Sequence, residues 1–549
     1  MQSNITGTLI YAPGLYIPPA EIAAAALDAV AAQFPGGPIW IATHGSQHAE
    51  ALQALLREAR EIMTSAGSDG DSIQLLSGSG GLAPRLREVF ALNAPSAPKA
   101  DDAADASVAV CYGWYPLLDS ALVEALLADH TTYLAHISYS ENIPAGFAPD
   151  FVARDFVADL PDPLPPELST TGPSPSGELR AFAFKNIDRF DVEIFYRAPD
   201  LRQHRLELSA ADERSTRLIQ AIRALRPELA FADLEELLRS NPEIVRPYPS
   251  YFEVELCSGF AEDAFAPHTA PPVNTSEAAE RRTSARYLSS ELLEKLRGDI
   301  AANGLRNDVT VSLAGRGEAC RHPDFINIMN GFLELPAVKH VIIETYAAGV
   351  DSALLESIFA APQAQRVVLI VRLDSLRPER YTRLYGADRF ANVQKFLTAC
   401  ETALKRAAEQ NSPAPAVYVE MHRLAETEDE LSEFMDRFED PEQPIRPLLQ
   451  KFNRYIDRLP ERRAADLTPL TRDFCWHLAR DFFLTVDGRV PLCKQDPYGE
   501  NTAALDFSQM TVAEIGDRTM PHHAASMRGE HDRVPMPCLQ CDEWYTFNA

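Results

Sequence analysis

Four cysteines near the end of the chain have the clearest chemical potential. Cys475, Cys493, Cys538 and Cys541 are half of the chain's 8 cysteines, and the last two form a Cys-x2-Cys motif. Four thiolates in a compact arrangement suit one Fe–S cluster or one tetrahedral zinc ion. The alternative is four unrelated structural thiols, and the concentration of cysteines in one segment favours the metal site over it.

The residues between the first two cysteines predict how the site is assembled. Residues 482–486 form a strand-like run, Asp487-Gly488 is a turn signal, and a second short strand follows at 489–490. This pattern predicts a hairpin that returns Cys493 towards Cys475.

Composition excludes several classes of protein. A chain of 549 residues with 46% hydrophobic and 24% charged residues is globular, with room for about three or four domains. The net charge of -28 argues against nucleic acid or an anionic membrane as partner. We find no secretory signal, no run near the roughly 18 apolar residues of a membrane span, and sparse cysteines that fit a reducing compartment. The sequence therefore predicts a cytoplasmic protein without nucleic-acid or membrane partners.

The hydrophobic periodicity predicts an α/β fold with four parts. Residues 1–160 alternate short strands and helices, and 161–246 read as a linker and a mixed α/β segment. Residues 247–445 contain longer β-α units, which predict a parallel sheet, open or partly closed into a barrel, with function at the carboxyl ends of its strands. Its predicted strands are 251–256, 309–313, 341–343, 367–371 and 417–420. Residues 446–549 carry the cysteines.

The tail resembles the SPASM extension of radical S-adenosylmethionine enzymes. The matching segments are 472–478, 487–493 and 537–541, and the ending 541–548 resembles the spirochaete subgroup called spiro-SPASM proteins. The resemblance implies that the four tail cysteines hold one auxiliary [4Fe-4S] cluster, with zinc as the rival occupant. This chain has no further cysteines to supply a second cluster there.

Residues 247–445 resemble the radical-SAM partial barrel. Gly315, Gly317 and Glu318 follow the second strand and are similar to the family's Gly-Gly-Glu-Pro motif, whose backbone receives the amino group of S-adenosylmethionine. The resemblance therefore assigns these three residues to cofactor binding, and a simple turn is the alternative. Glu344-Thr345 and Asp374-Ser375 also fall where the family places polar residues.

The Cys-x3-Cys-x2-Cys motif of radical-SAM enzymes is missing. The loop after the first strand contains only Cys257, and the three aligned ligand positions hold Gly259, Asp263 and Ala266. One thiolate cannot retain a cluster. The sequence thus predicts that S-adenosylmethionine is not cleaved, and leaves open whether it still binds.

Residues 1–160 resemble the nucleotidyltransferase-like domain of spiro-SPASM proteins, best at 112–119 and 133–146. Active enzymes of that class have a Gly-rich, Arg-containing phosphate loop and a metal-binding acid. In this chain residues 11–16 occupy the position of the phosphate loop and include no arginine, and Trp114 occupies the position where the metal-binding acid is expected. This predicts a degenerate domain in which Asp119 serves as a helix N-cap.

The complete prediction is an α/β chain with a nucleotidyltransferase-like domain, a radical-SAM-like partial barrel and a small SPASM-type cysteine domain. Its predicted function is to bind one [4Fe-4S] cluster without radical chemistry. Two alternatives stay open: an active radical enzyme that modifies a peptide or small molecule, and a zinc-binding scaffold. A peptide or protein partner fits the family, but the sequence does not identify one.

Overall fold

The computed structural model describes residues 5–12, 16–43, 49–65, 73–76, 81–93, 106–164, 175–260, 265–284, 286–347, 350–440, 443–502 and 504–546. Within these ranges no helix is long and apolar enough to cross a membrane. The chain divides into two compact units, Met1–Val245 and Arg246–Phe547. Each unit is built on its own seven-stranded sheet with helices between the strands, so the predicted α/β class is confirmed.

The first unit alternates strands and helices along the chain. Its strands are β1 (Ile5–Tyr11), β2 (Ile39–Ala42), β3 (Ile73–Leu76), β4 (Ser107–Cys111), β5 (Ile137–Ser140), β6 (Asp150–Ala153) and β7 (Val192–Phe195). Its α-helices are α1 (Ala20–Gln33), α2 (Ala49–Ser65), α3 (Leu82–Leu92), α4 (Ser120–Thr132), α5 (Arg154–Ala158), α6 (Pro175–Lys185), α7 (Glu213–Leu225) and α8 (Leu234–Ser240).

The first sheet is mixed, in the order β3-β2-β1-β4-β6-β5-β7. Its first four strands are parallel, and β6 runs antiparallel to both β4 and β5. The central strand β4 is buried along its whole length, as its apolar sequence predicts. The segment 161–246 contributes β7 to this sheet and the helices α6 to α8 to the same unit.

The second unit has a longer repeat. Its strands are β8 (Tyr251–Glu255), β9 (Val309–Ala314), β10 (Val338–Thr345), β11 (Val367–Arg372), β12 (Ala416–Arg423), β13 (Arg446–Lys451), β14 (Asp481–Leu484), β15 (Arg489–Val490) and β16 (Leu505–Asp506). Its α-helices are α9 (Ser276–Ser284), α10 (Ser290–Asn303), α11 (Phe325–Leu333), α12 (Ser352–Phe359), α13 (Pro378–Tyr385), α14 (Phe390–Glu409), α15 (Leu431–Phe438), α16 (His477–Arg480), α17 (Val512–Met527) and α18 (Met536–Gln540).

The second sheet is parallel throughout, in the order β13-β12-β11-β10-β9-β8-β14. From β8 to β13 each strand pairs with the next along the chain, so successive β-α units lay the strands side by side. The five strands predicted in this region are confirmed. All their carboxyl ends lie at one edge, where the loops that carry the predicted cofactor residues begin.

Two elements differ from the predicted pattern. The strand β13 was not predicted, because it is a half-exposed edge strand without an apolar run. The predicted hairpin at 482–490 is wrong in its pairing: β14 pairs with β8, while β15 pairs with β16. The Asp487-Gly488 turn is present, since the Thr485 N–H donates to the Arg489 carbonyl over 2.9 Å.

Candidate metal centre

Short elements at the end of the chain position the four tail cysteines. Cys475 precedes α16, Cys493 follows β15, Cys538 lies within α18, and Cys541 is the residue that ends α18. The Cys541 N–H donates to the Cys538 carbonyl over 3.3 Å, so the Cys-x2-Cys motif folds as one tight turn. The structure brings all four cysteines to the wall of a single cavity.

The cavity is apolar near the sulfur atoms and charged at its margin. Leu478 and Leu492 pack against the cysteines, and Arg472, Lys494 and Asp496 also line the wall. Leu492 packs against two groups of buried side chains, one that contains Cys475 and one that contains Cys538. The site therefore holds two buried and two partly exposed thiols beside two cationic side chains and one anionic side chain.

The thiols affect one another electrostatically. Burial raises the pKa of Cys493 well above its usual value, and the charges of Cys538, Cys541 and Cys475 raise it further. Burial, and to a smaller extent the charge of Cys475, raises the pKa of Cys538 to about 12. Four thiolates this close would repel one another strongly without a cation, so a metal centre that displaces the thiol protons is the natural counter-charge.

Polar groups fix the cysteine backbones. The Cys475 N–H donates to Ser526 Oγ over 2.8 Å, and the Arg472 guanidinium donates to the Cys541 carbonyl over 3.2 Å. The Glu543 N–H donates to Cys541 Sγ over 3.3 Å. Hydrogen bonds of this kind to sulfur stabilise negative charge on ligand thiolates.

Two buried side chains around the site hold the scaffold. His477 Nδ1 lies 2.8 Å from Asp481 Oδ2, and His477 Nε2 lies 2.9 Å from the Glu543 carbonyl oxygen. This histidine therefore connects α16 to the final segment of the chain. These contacts favour the role of a core histidine for His477. Asp496, which we did not predict, accepts hydrogen bonds at 2.7 Å from both the backbone and the hydroxyl of Thr502, which shapes the loop after Cys493.

The predicted cofactor residues lie at the carboxyl end of β9. A Cβ on Gly315 would come within 2.7 Å of the Glu255 side chain, and one on Gly317 within 2.7 Å of the Gly259 nitrogen. Gly315 also has a φ of +122°, which favours glycine. Glycine is thus required at both positions, because the backbone passes close to the end of β8 and to the loop that follows it.

Glu318 is buried and engaged by the protein. Its Oε1 accepts from the Thr345 hydroxyl over 2.8 Å, and its Oε2 accepts from the Tyr346 N–H over 3.0 Å. Burial raises the pKa of this carboxyl to about 7, against the lowering effect of those hydrogen bonds. A ligand ammonium at this position would have to compete with the existing donors.

The loop after β8 offers a single thiol. Cys257 is buried, its Sγ lies 3.8 Å from the Ala319 carbonyl, and burial raises the pKa of this thiol to about 12. Ala266, one of the aligned ligand positions, is tied through its N–H to the Tyr385 carbonyl over 2.9 Å. Asp263 lies outside the described residues. Cys257 is therefore the one thiol that this loop supplies, and it is buried.

Two groups of buried ion pairs lie on the second sheet. Glu253 of β8 pairs with Arg316 at 3.2 Å, and Arg372 of β11 pairs with Glu420 of β12 at 2.9 Å and with Glu344 of β10. These side chains are between 3% and 18% exposed. The second sheet thus carries buried ion pairs within its strands and at their carboxyl ends.

The first unit carries a neutralised carboxylate near the end of β4. Asp150 accepts from Arg180 Nη2 at 2.6 Å and Nε at 3.1 Å, and from the Tyr112 hydroxyl at 3.1 Å. Sequence reasoning missed this acid because it lies on β6, and its pairing with arginine leaves it unsuited to bind Mg²⁺. Trp114 is buried in the core, and residues 13–15 of the segment 11–16 lie outside the described residues. Asp119 caps α4 through Leu122 N–H, which confirms its predicted role.

Comparison with known proteins gives distant similarities. No protein-family model matches the chain. An uncharacterized protein of Treponema pallidum (strain Nichols) is 25% identical over 369 residues, covering 66% of this chain and 96% of that protein. Similar structures include a radical SAM/SPASM enzyme, Streptococcus suis SuiB bound to precursor peptide SuiA, with a TM-score of 0.40 and 12% identity, covering 67% of this chain and 83% of SuiB.

A second similar structure is a cytidylyltransferase from Leptospira borgpetersenii serovar Hardjo-bovis. Its TM-score is 0.33 at 11% identity, and the match covers 44% of this chain and 97% of that protein. With TM-scores below 0.5, these similarities do not establish an activity, a substrate or a cofactor for this chain.

Proposed function

We propose that this chain is a radical SAM/SPASM-related protein that binds one [4Fe-4S] cluster through Cys475, Cys493, Cys538 and Cys541, and that it does not cleave S-adenosylmethionine. The observation that carries the proposal is the arrangement of these four side chains around one cavity. The resemblance of the tail to the SPASM extension supports a cluster as the occupant.

The surroundings of the cysteines suit a centre with net negative charge. A cluster with four thiolate ligands has net negative charge, and Arg472 and Lys494 at the cavity wall supply positive charge. The charge of Arg472 opposes the burial that raises the pKa values of Cys475 and Cys538.

Three features of the second sheet support the loss of radical chemistry. Cleavage of S-adenosylmethionine needs an iron with an open coordination position, and the loop after β8 has only the buried thiol of Cys257. The backbone of Gly259 fills the space beside Gly317 that a ligand would approach. The Glu318 carboxyl is engaged by protein donors.

Metal analysis of anaerobically purified protein tests the cluster. We expect about four iron and four acid-labile sulfide per chain, and Cys493→Ala should lose both. Cys400→Ala is the matched control, because Cys400 is fully buried in α14 and far in sequence from the tail, and it should retain the wild-type content. Stoichiometric zinc without sulfide would reject the cluster and leave the zinc-scaffold alternative.

Incubation with S-adenosylmethionine and a strong reductant tests the loss of radical chemistry. We expect no 5′-deoxyadenosine from the cluster-loaded protein. Formation of 5′-deoxyadenosine that depends on Cys257 or Glu318 would contradict the proposal, and would support the alternative of an active peptide- or small-molecule-modifying enzyme.

A further inference from the structure

Two imidazoles and one carboxylate meet at the carboxyl ends of the second sheet. His268 follows the loop after β8, Asp374 lies just beyond β11, and His422 is near the end of β12. One ligand atom from each residue lies within 4.8 Å of the other two. Three distant parts of the sequence thus place nitrogen and oxygen donors at the edge of the sheet where function is normally found.

Asp374 is at the centre of this group and is fully buried. Its Oδ1 accepts from the His422 N–H over 2.7 Å and lies 2.9 Å from His422 Nδ1. Its Oδ2 accepts from the Tyr385 hydroxyl over 2.6 Å and lies 3.4 Å from His268 Nε2. The carboxylate is therefore held in place from two sides, with both oxygens directed at the histidines.

His268 is held in place by its backbone and by ring stacking. Its side chain is 2% exposed, and among the described residues neither ring nitrogen has a hydrogen-bond partner. Its backbone N–H donates to the Leu384 carbonyl over 2.9 Å, and its ring stacks on Phe452 with 5.7 Å between centroids. Burying an imidazole with both nitrogens unpaired is unfavourable, so this ring is positioned for a ligand other than the side chains that the structure describes.

We propose that His268, Asp374 and His422 bind a divalent first-row transition-metal ion. Two imidazoles and one carboxylate are the donor set of mononuclear zinc and non-haem iron sites. An ion here would take the place of the hydrogen that His422 Nδ1 shares with Asp374, and would give His268 the partner that it lacks. Three protein ligands leave coordination positions for water or a substrate, as catalytic sites do and closed structural sites do not.

Anaerobic titration of the metal-free, full-length chain with Co²⁺ tests this site separately from the tail. Cobalt bound by the tail thiolates gives intense sulfur-to-metal bands in the near ultraviolet, whereas cobalt bound by nitrogen and oxygen gives only weak visible bands. We expect the wild-type chain to show both signals. His268→Asn should lose only the weak visible bands, with cobalt binding at this site at least about a hundredfold weaker. Loss of a residue that merely hydrogen-bonds to a metal ligand already costs about 10–100-fold in metal affinity, and loss of the ligand itself costs more.

Two variants make the outcome specific. The variant with alanine at Cys475, Cys493, Cys538 and Cys541 should lose the sulfur bands and keep the weak visible bands, so failure at the tail and failure at this site are distinguishable. His340→Asn is the matched control, because His340 lies on β10 outside the group and has a buried ring nitrogen without a hydrogen-bond partner among the described residues. Circular dichroism of the metal-free variants checks that they are folded.

The proposal is overturned if the wild-type chain shows only sulfur bands. It is also overturned if folded His268→Asn keeps the weak bands with unchanged affinity. If His268→Asn does not fold, Asp374→Asn, which preserves shape and removes the charge, provides the same comparison with the same two outcomes.

Discussion

Replacing Arg372 by methionine should destabilise the second unit strongly and in a pH-dependent way. Arg372 lies between two carboxylates, with its Nε 2.9 Å from Glu420 and its Nη2 bonded to Glu344. Its side chain is 17% exposed, and those of Glu344 and Glu420 are 18% and 5% exposed. Methionine keeps much of the volume and removes the charge, so two buried carboxylates lose their counter-ion.

The size of the effect follows from two limits. Removing one partner of a buried ion pair typically costs about 3–5 kcal/mol. Each carboxylate can instead take up a proton, which at pH 7 costs about 3.7 kcal/mol from an ordinary pKa near 4.3. We therefore expect a loss of about 3–5 kcal/mol at pH 7, because at least one carboxyl group becomes protonated.

The sign of the pH dependence is fixed by the same reasoning. Burial already raises the pKa of Glu344, and the charge of Arg372 opposes that rise. Without Arg372 the folded variant binds more protons than the unfolded chain above about pH 4.3, so its stability falls as the pH rises. The cost of the substitution should therefore shrink by about 2–3 kcal/mol between pH 7 and pH 5.

Native-state hydrogen exchange of peptides from β10 to β12 measures this free energy locally. Arg377→Met is the matched control, because Arg377 pairs with Glu433 while both side chains are at least half exposed, and it should leave exchange nearly unchanged. Arg372→Met combined with Glu344→Gln and Glu420→Gln should recover most of the stability. The reasoning is refuted if the single and triple variants are equally destabilised, or if the cost is the same at pH 5 and pH 7.

Three further predictions concern single side chains. The Glu318 carboxyl has a pKa of about 7 in the folded chain, against 4.5 in the unfolded chain. The free energy of unfolding of the wild type should therefore fall by about 3 kcal/mol between pH 4.5 and pH 7. Urea unfolding of Glu318→Gln should show a smaller change over this pH range. Gly317→Ala should cost about 1–3 kcal/mol through backbone clash, whereas Gly298→Ala, with open space in α10, should be neutral or slightly stabilising in thermal melts. Asp119→Ala should cost about 1–3 kcal/mol by removing the α4 cap, and Asp119→Asn should recover most of it; equal losses would show that the cap is not responsible.

Local sequence signals predicted much of this architecture. The buried, β-branched runs at β4, β9 and β11 are strands in the structure, because an apolar run of that length has few other stable forms in an α/β chain. The dense tail cysteines indicated a shared site, and the structure places all four at one cavity. Asp119 could be recognised because a cap depends only on its own helix.

Long-range pairing could not be obtained in the same way. The strand β14 has the composition of a hairpin strand, but its partner β8 lies more than 200 residues earlier in the chain. His268 and His422 each look like an isolated core histidine in sequence. Only the parallel order of the strands, which brings β8, β11 and β12 loops to one edge, places these two beside Asp374. Pro267-His268 after a strand-end loop was the available signal, and it is weak by itself.

The Mössbauer spectrum of iron-labelled, anaerobically purified protein tests the central claim most directly. We predict the signal of a single [4Fe-4S] cluster, absent from Cys493→Ala, present in Cys257→Ala and unchanged when S-adenosylmethionine is added, because all four irons are held by the tail cysteines. A spectrum without cluster iron would contradict the claim, as would a signal in which one iron changes on addition of S-adenosylmethionine.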